Sequence, residues 1–435
     1  MRDAAHYLAL LISTFRTFQW TLALVAPSIS IMTTATGIRM KALEGLRVLD
    51  LGTFVAGPFC TTIFAEFGAE VIKVEPPQTG DSLRRFGTET ECGDTLMWLT
   101  ESRNKKCVTL NLADERGRQM LRDLAASCDI VVENFRPGVI EKWGLDFESL
   151  HKLNPRTILV RISAYGQDGP NRGKPGFARV AHAFSGLAYL AGEPGRVPVT
   201  PGSTSLADYG SGMYATIGAL IALQARERTG HGQCVDLALY EPMFRVLDEM
   251  VPAYHMFGKV RERMGANAVN VAPHAHYRTR DERWIAIACT NDKIFRRFAH
   301  VMQRPELADD DQWGRASVRI AAIDAVNALV QDWIGARDHD EVLRLCDEGS
   351  VPASLLYSVA DIFDDPQYEA RGNIRTMPSR AGDVAVPNVI PRLSETPGAI
   401  EWLGPTLGSH NDEVFGDLLG CSSSDLAALR AAGVI

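Results

Sequence analysis

The stretch from Leu46 to Pro77 fixes how this chain starts to build a core. Leu46-Arg47-Val48-Leu49-Asp50-Leu51 has the apolar content of a buried strand, Gly52 to Pro58 reads as a turn, and Phe59 to Phe67 has helical spacing. Gly68 ends that helix, because glycine enters the left-handed region without a Cβ clash. Glu70-Val71-Ile72-Lys73-Val74 is a second strand, and Pro76-Pro77 stops it. A strand, a crossover helix and a second strand form the seed of a parallel sheet.

The alternation continues. Lys106 to Leu110, Asp129 to Val132, Thr157 to Ser163 and Gln233 to Leu239 read as strands. Asp114 can cap an amphipathic helix running to Ala126. A Ser/Thr cluster precedes a Gly/Ala-rich helix between Ser203 and Arg228, and another helix is expected over Ala181 to Leu190. Strands alternating with helices predict a doubly wound, Rossmann-like α/β fold with helices on both faces. From about Gly265 the texture changes: one strand (Trp284–Cys289) is followed by helices at Ile294–Met302, Ala321–Ile334 and His339–Glu348. Strands and turns are expected from Pro387 to Leu403, and a closing helix from Ser424 to Ala432.

A chain of 435 residues exceeds one compact core, so two domains are expected. The net charge of −8, without a long run of one sign, gives no support for binding nucleic acid, which needs a basic patch. The eight cysteines form no CxxC pair and no Cys/His cluster, so no metal is expected. Free thiols fit a reducing compartment such as the cytoplasm, or a mitochondrial matrix in a eukaryotic source. Tyr7 to Met32 is apolar but broken by Arg16, which argues against a membrane span. Residues 1–42 are read as a poorly ordered extension or the product of an upstream start, with Met32 or Met40 the natural beginning. There is no P-loop, HExxH or GxSxG motif. Gly210-Ser211-Gly212-Met213-Tyr214-Ala215 matches GxGxxA loosely, but no strand precedes it. Its small residues are expected to let a helix pack closely on a neighbour.

An ordered series of segments spans almost everything after residue 42. It begins with Leu43-Glu44-Gly45-Leu46-Arg47-Val48-Leu49-Asp50, Ala56-Gly57-Pro58 and Phe67-Gly68-Ala69-Glu70-Val71-Ile72-Lys73-Val74-Glu75-Pro76. Gly80-Asp81 with Arg84 and Arg85, Asn104-Lys105-Lys106, Val132-Glu133-Asn134-Phe135-Arg136-Pro137-Gly138 and Ser163-Ala164-Tyr165-Gly166-Gln167-Asp168-Gly169-Pro170 follow. Ala207-Asp208-Tyr209-Gly210-Ser211-Gly212, Thr229-Gly230-His231-Gly232-Gln233-Cys234-Val235-Asp236, Asp365-Pro366-Gln367 and Leu407-Gly408-Ser409-His410-Asn411-Asp412-Glu413-Val414 complete it. The set resembles the class III CoA-transferase family (CaiB/BaiF-like), which also contains alpha-methylacyl-CoA racemases. The resemblance implies an enzyme with a large α/β domain over 43–260, completed by 371–435, and a smaller α+β domain over 261–370. It also implies that two chains interlock as a homodimer.

In that family the nucleophile matches Asp208. A carboxylate can attack a thioester to form a mixed anhydride and then carry CoA as an aspartyl thioester. Asp208 falls in the first turn of its helix, where the positive dipole end favours a carboxylate. CoA, a substrate and not a tightly bound cofactor, is implied to meet Val55, Ala56, Leu110, Asn111, Asn134 and Phe135. Arg136, Lys142 and Lys174 are basic candidates for its phosphates. Met264-Gly265-Ala266-Asn267 is the nearest counterpart of a glycine-bearing covering loop and is assigned no role. Pro175-Gly176-Phe177 is followed by Ala178, where many relatives have an acid, and Phe177-Ala178 supplies neither of the bases a racemase uses. This favours transfer over racemisation. The run Phe177 to Phe184 looks similar to members acting on dicarboxylates, often with succinyl-CoA as donor. Arg179 or His182 is the candidate for a distal carboxylate. The rival readings are a racemase or epimerase, a non-catalytic CoA-binding protein of the same fold, and a dehydrogenase. The expected partners are acyl-CoA, small carboxylic acids and a second copy of the chain, with no nucleic acid and no membrane.

Overall fold

The computed structural model describes residues 40–435 apart from 201 and 203, so the expectations for residues 1–39 lie outside the described residues. Six strands form one sheet: β1 (Arg47–Asp50), β2 (Glu70–Glu75), β3 (Lys105–Thr109), β4 (Ile130–Glu133), β5 (Ile158–Ser163) and β6 (Cys234–Ala238). Every pairing is parallel and the order is β3-β2-β1-β4-β5-β6. The chain builds outward from β1, returns to β1 and builds the other way. Beyond the carboxyl ends of β1 and β4 such a sheet leaves a crevice.

The helices that matter here are α1 (Ala56–Glu66), α2 (Glu115–Ala126), α3 (Phe147–Leu153), α4 (Ala178–Phe184), α5 (Leu206–Thr229), α6 (Asn411–Leu419) and α7 (Ser423–Ala431). Side chains alternate along each strand, and the two faces acquire separate cores. Val48, Val71, Ile130, Val132, Ile158, Val160 and Ile162 point toward α1, α4 and α5. Leu49, Ile72, Val108, Val131 and Leu159 point toward α2, α3, α6 and α7. Full burial of each such aliphatic side chain is worth about 1.5–3 kcal/mol.

α1 starts at Ala56, three residues ahead of its expected start, because a proline without an N–H fits the first helical turn, where Pro58 falls. The helix expected over Ala181 to Leu190 is two pieces, α4 and a short turn at Leu187–Leu190, broken at Gly186, whose φ is +91°. A separate antiparallel sheet joins β7 (His274–Arg278), β8 (Trp284–Ala288) and β9 (Ala353–Leu355), with its own core around Phe295, Phe298, Val330 and Ile334. The strands expected from Pro387 onward lie earlier, as the hairpin β10 (Ile374–Ser379) and β11 (Gly382–Pro387). Among the described residues none from 388 to 403 is in a strand. No helix among them is long and apolar enough to cross a membrane, and no cluster of possible metal ligands is found there.

Candidate active site

The crevice side of β1 is built on buried charge. Asp50, fully buried, meets Lys105 Nζ at 2.9 Å and accepts from Thr61 Oγ1 at 2.7 Å. Lys73, equally buried, lies 2.9 Å from Asp81 and donates to the Gly52 carbonyl. Burial alone would raise the Asp50 pKa, but Lys105 and Lys73 outweigh it and hold the carboxyl below its usual range. Nearby, Arg84 bonds Glu75 at 2.7 and 2.8 Å, pairs with Asp94 at 3.0 Å and stacks over Trp98.

This network pins the segment between β1 and α1. Gly52 N–H donates to Asp50 Oδ1 (3.0 Å) and Phe54 N–H to Asp81 Oδ1 (3.1 Å). Thr53 exchanges two bonds with the Asn134 amide, at 2.7 and 2.8 Å. Phe54 is thereby held at φ +59°, a region that bulky side chains rarely occupy and that persists only where the surroundings over-determine it. The sequence displays Asp81, Arg84 and Lys105 within its motifs. Their role is hidden because the pairings cross between strands and turns, Lys105 meeting Asp50 from 55 residues away.

Two cavities open on this segment. The first, about 250 Å³, is walled by Val55, Ala56, Asn134, Phe135, Arg136, Lys174 and Asp208, all expected positions, by Phe177, which the sequence set beside the substrate run without assigning it a contact, and by Arg172, which sequence reasoning passed over. Arg172 lies in the Gly/Pro-rich segment from Gly166 to Gly176, and the length of that segment was the available signal. Phe135 is fixed by its N–H to Glu133 Oε2 (2.7 Å) and an edge-on contact with Trp143. Burial pushes Glu133 up to about 7 against the opposing pull of Arg161. Among the described residues, Arg136, Arg172 and Lys174 have no ionic partner, which concentrates positive charge around this cavity. The second cavity, about 680 Å³, is walled by Phe86, Arg179, His182, Thr200 and Thr204. Phe54, Val55, Phe177 and Asp208 belong to both. The Phe54 and Phe177 rings meet edge to face at 6.1 Å.

Three expected CoA contacts do not join either cavity. Leu110 is buried in the core on the sheet's other face. Asn111 donates to the Gly433 carbonyl and accepts from Ala113 N–H. Lys142 sits on the short turn Ile140–Trp143. The Met264–Asn267 loop lines neither cavity; Gly265 N–H bonds the Gly192 carbonyl instead.

Asp208 is half-buried in the first turn of α5. Its approach to α1 depends on Gly212, where a Cβ would come within 3.0 Å of the Ala56 carbonyl and 2.9 Å of the Phe59 ring. Among the described residues its carboxylate has no hydrogen-bond donor and no ion pair, and burial pushes its pKa up to about 6. Arg179 Nη1 donates to Thr200 Oγ1 at 3.1 Å. His182, with only 2% of its surface exposed, accepts the Ala207 N–H through Nε2 at 2.9 Å.

A parallel α/β sheet with a ligand-sized crevice beyond its carboxyl ends, lined by a carboxylate and by cations that are unpaired among the described residues, is suited to an anionic ligand. The profile described as CoA-transferase family III matches residues 43–411, and the chain belongs to that family. It is a CoA-transferase by this membership and by its relatives. It is 49% identical over 93% of its length to the succinyl-CoA–L-malate CoA-transferase alpha subunit of Chloroflexus aurantiacus, covering 95% of that protein. It is 51% identical over 90% of its length to the beta subunit, covering 98%. Among solved structures, a CaiB/BaiF family protein from Brucella suis aligns with a TM-score of 0.77 at 33% identity, over 87% of this chain and 99% of that one.

Proposed function

We propose that the enzyme moves CoA from succinyl-CoA to a second dicarboxylic acid, with Asp208 as the covalent carrier. One observation carries this reading: the Asp208 carboxylate, unpaired among the described residues, lies in the wall shared by a cation-rimmed cavity and a second, wider one. An Asp208 oxygen attacks the thioester carbonyl, the C–S bond breaks and the CoA thiolate leaves a mixed anhydride. The thiolate then attacks the Asp208 carboxyl carbon and expels succinate, giving an aspartyl-CoA thioester. The acceptor carboxylate attacks the same carbon and releases the thiolate. The thiolate takes the new acyl group, and Asp208 is restored. No net proton is consumed, so the cycle needs no general base.

Val55 has no side-chain cap to offer α1, so the Ala56 and Gly57 N–H groups lack intrahelical partners and are suited to stabilise the oxyanions. Val55, Ala56, Asn134 and Phe135 would meet the pantetheine arm, and Arg136, Arg172 and Lys174 its phosphates. Arg179, which lines the second cavity with Asp208, would hold the distal carboxylate that defines a dicarboxylate. The names of the Chloroflexus relatives, which pair succinyl-CoA with L-malate and with D-citramalate, support that substrate class.

We also propose that two copies of the chain interlock as a homodimer. Met213, Tyr214, Ile217, Leu220 and Ile221 form an exposed apolar stripe along α5, and Val251, Tyr254, Met256 and Phe257 expose a second. Patches of that kind mark association surfaces. Residues 261–370, with the β7-β8-β9 sheet, are proposed to be a second domain.

Mass spectrometry of CoA esters, after incubation with succinyl-CoA and a panel of mono- and dicarboxylic acids, tests the function. The wild type should form new CoA esters and Asp208→Ala none. Exchange retained by Asp208→Ala would refute the covalent role. Arg179→Ala should lose dicarboxylates more than monocarboxylates.

A further inference from the structure

We infer that His182 is a positioning residue for the nucleophile: through Nε2 it holds the first turn of α5, and so aims Asp208. This rests on the covalent role proposed for Asp208.

The turn lacks an ordinary cap. Ser205, the residue before α5, makes no side-chain bond to it. The Asp208 and Tyr209 N–H groups both donate to the Ser205 carbonyl, at 2.9 and 3.1 Å. The Ala207 N–H donates to His182 Nε2 at 2.9 Å, across from α4. Ala207 is fully buried and His182 nearly so, so this bond is shielded from bulk water. If the acceptor is removed, a buried N–H is left unpaired, and the turn must move to satisfy it. Asp208 is the next residue along that turn.

The ring is held in the required form. A nitrogen that accepts a backbone N–H carries no proton, so the proton of the neutral ring is on Nδ1. Nδ1 is buried and has no partner among the described residues. Burial, and then the neighbouring Arg179, lower the His182 pKa and keep Nε2 free to accept. A displacement of the reacting oxygen by about 1 Å is enough to cost roughly 100-fold in rate.

Three substitutions test the assignment. Gln places Oε1 where Nε2 stands, Asn is too short to reach, and Leu has no acceptor. With succinyl-CoA and L-malate, His182→Gln should keep kcat within about threefold of wild type. His182→Asn and His182→Leu should each lose roughly 100-fold in kcat while the KM for succinyl-CoA stays within about threefold. If His182→Leu fails to fold, the Gln and Asn pair decides. Wild-type kcat in His182→Leu or His182→Asn, Gln as damaged as Asn, or a loss confined to KM would each overturn the role. Asp208→Ala run alongside separates the two ideas. If it is inactive while His182→Leu is unimpaired, only the positioning role falls; if it still transfers CoA, the covalent reading falls.

Discussion

The motif around Asp208 singles that residue out, but its burial was not legible in the sequence. The dipole at the head of α5 suggested a carboxylate held readily charged. Burial among Phe54, Val55 and Phe177 instead raises its pKa from 3.8 to about 6. A raised pKa means that the folded state binds the proton more tightly than the unfolded chain does. The penalty for folding with this charge is therefore absent below pH 3.8, grows between 3.8 and about 6, and is complete above that. Two outcomes are expected. The kcat/KM for succinyl-CoA should fall as pH drops through about 6, because the attacking oxygen is then protonated. Asp208→Asn should be more stable than wild type by about 1–2 kcal/mol at pH 8, with the gap closing toward pH 4. Urea unfolding at the two pH values measures the second. His182 was read as a candidate for a distal carboxylate. Its link to Ala207 was invisible because it depends on how α4 and α5 meet.

At the level of elements, all six strands of the parallel sheet were readable within a few residues; both-face burial writes nearly continuous apolar runs in β4 and β5, while the edge strand β6 is largely exposed and was read from its Val and Leu alternation. The hairpin β10–β11 was placed too late because its exposed faces dilute the apolar signal. The charged network of Asp50, Lys73, Asp81 and Lys105 was unreadable in role, since a lysine inside a strand normally signals an exposed edge. The small-residue run at Gly210–Gly212 was read as a close-packing device, and Gly212 against α1 has that geometry. Its nearest neighbours include backbone atoms, which cannot swing aside. Gly212→Val should therefore push α5 from α1 and destabilise the protein by about 1–3 kcal/mol, seen as a lower midpoint in thermal or urea unfolding. Transfer activity should fall with it, since Asp208 lies one turn away.

For the molecule as a whole, the sequence carried the family and the α/β architecture. Quaternary structure came only by resemblance, and the exposed stripes on α5 and Met250–Phe257 are the surfaces on which the proposed dimer rests. The chain should travel in size-exclusion chromatography or native mass spectrometry at twice the mass of one copy. Ile217→Glu combined with Ile221→Glu should shift it to one copy or to aggregates, because charge on a buried apolar seam has no partner. The second face of the sheet has a different dependence. α6, α7 and Val434 close a core that α2 and α3 begin almost three hundred residues earlier, and the Val434 carbonyl accepts from Asn111 N–H. While the chain is being synthesised, Leu49, Ile72 and Val131 must wait with that flank uncovered until translation has almost finished. A ribosome stalled short of residue 411 would present a half-clad sheet to chaperones and proteases.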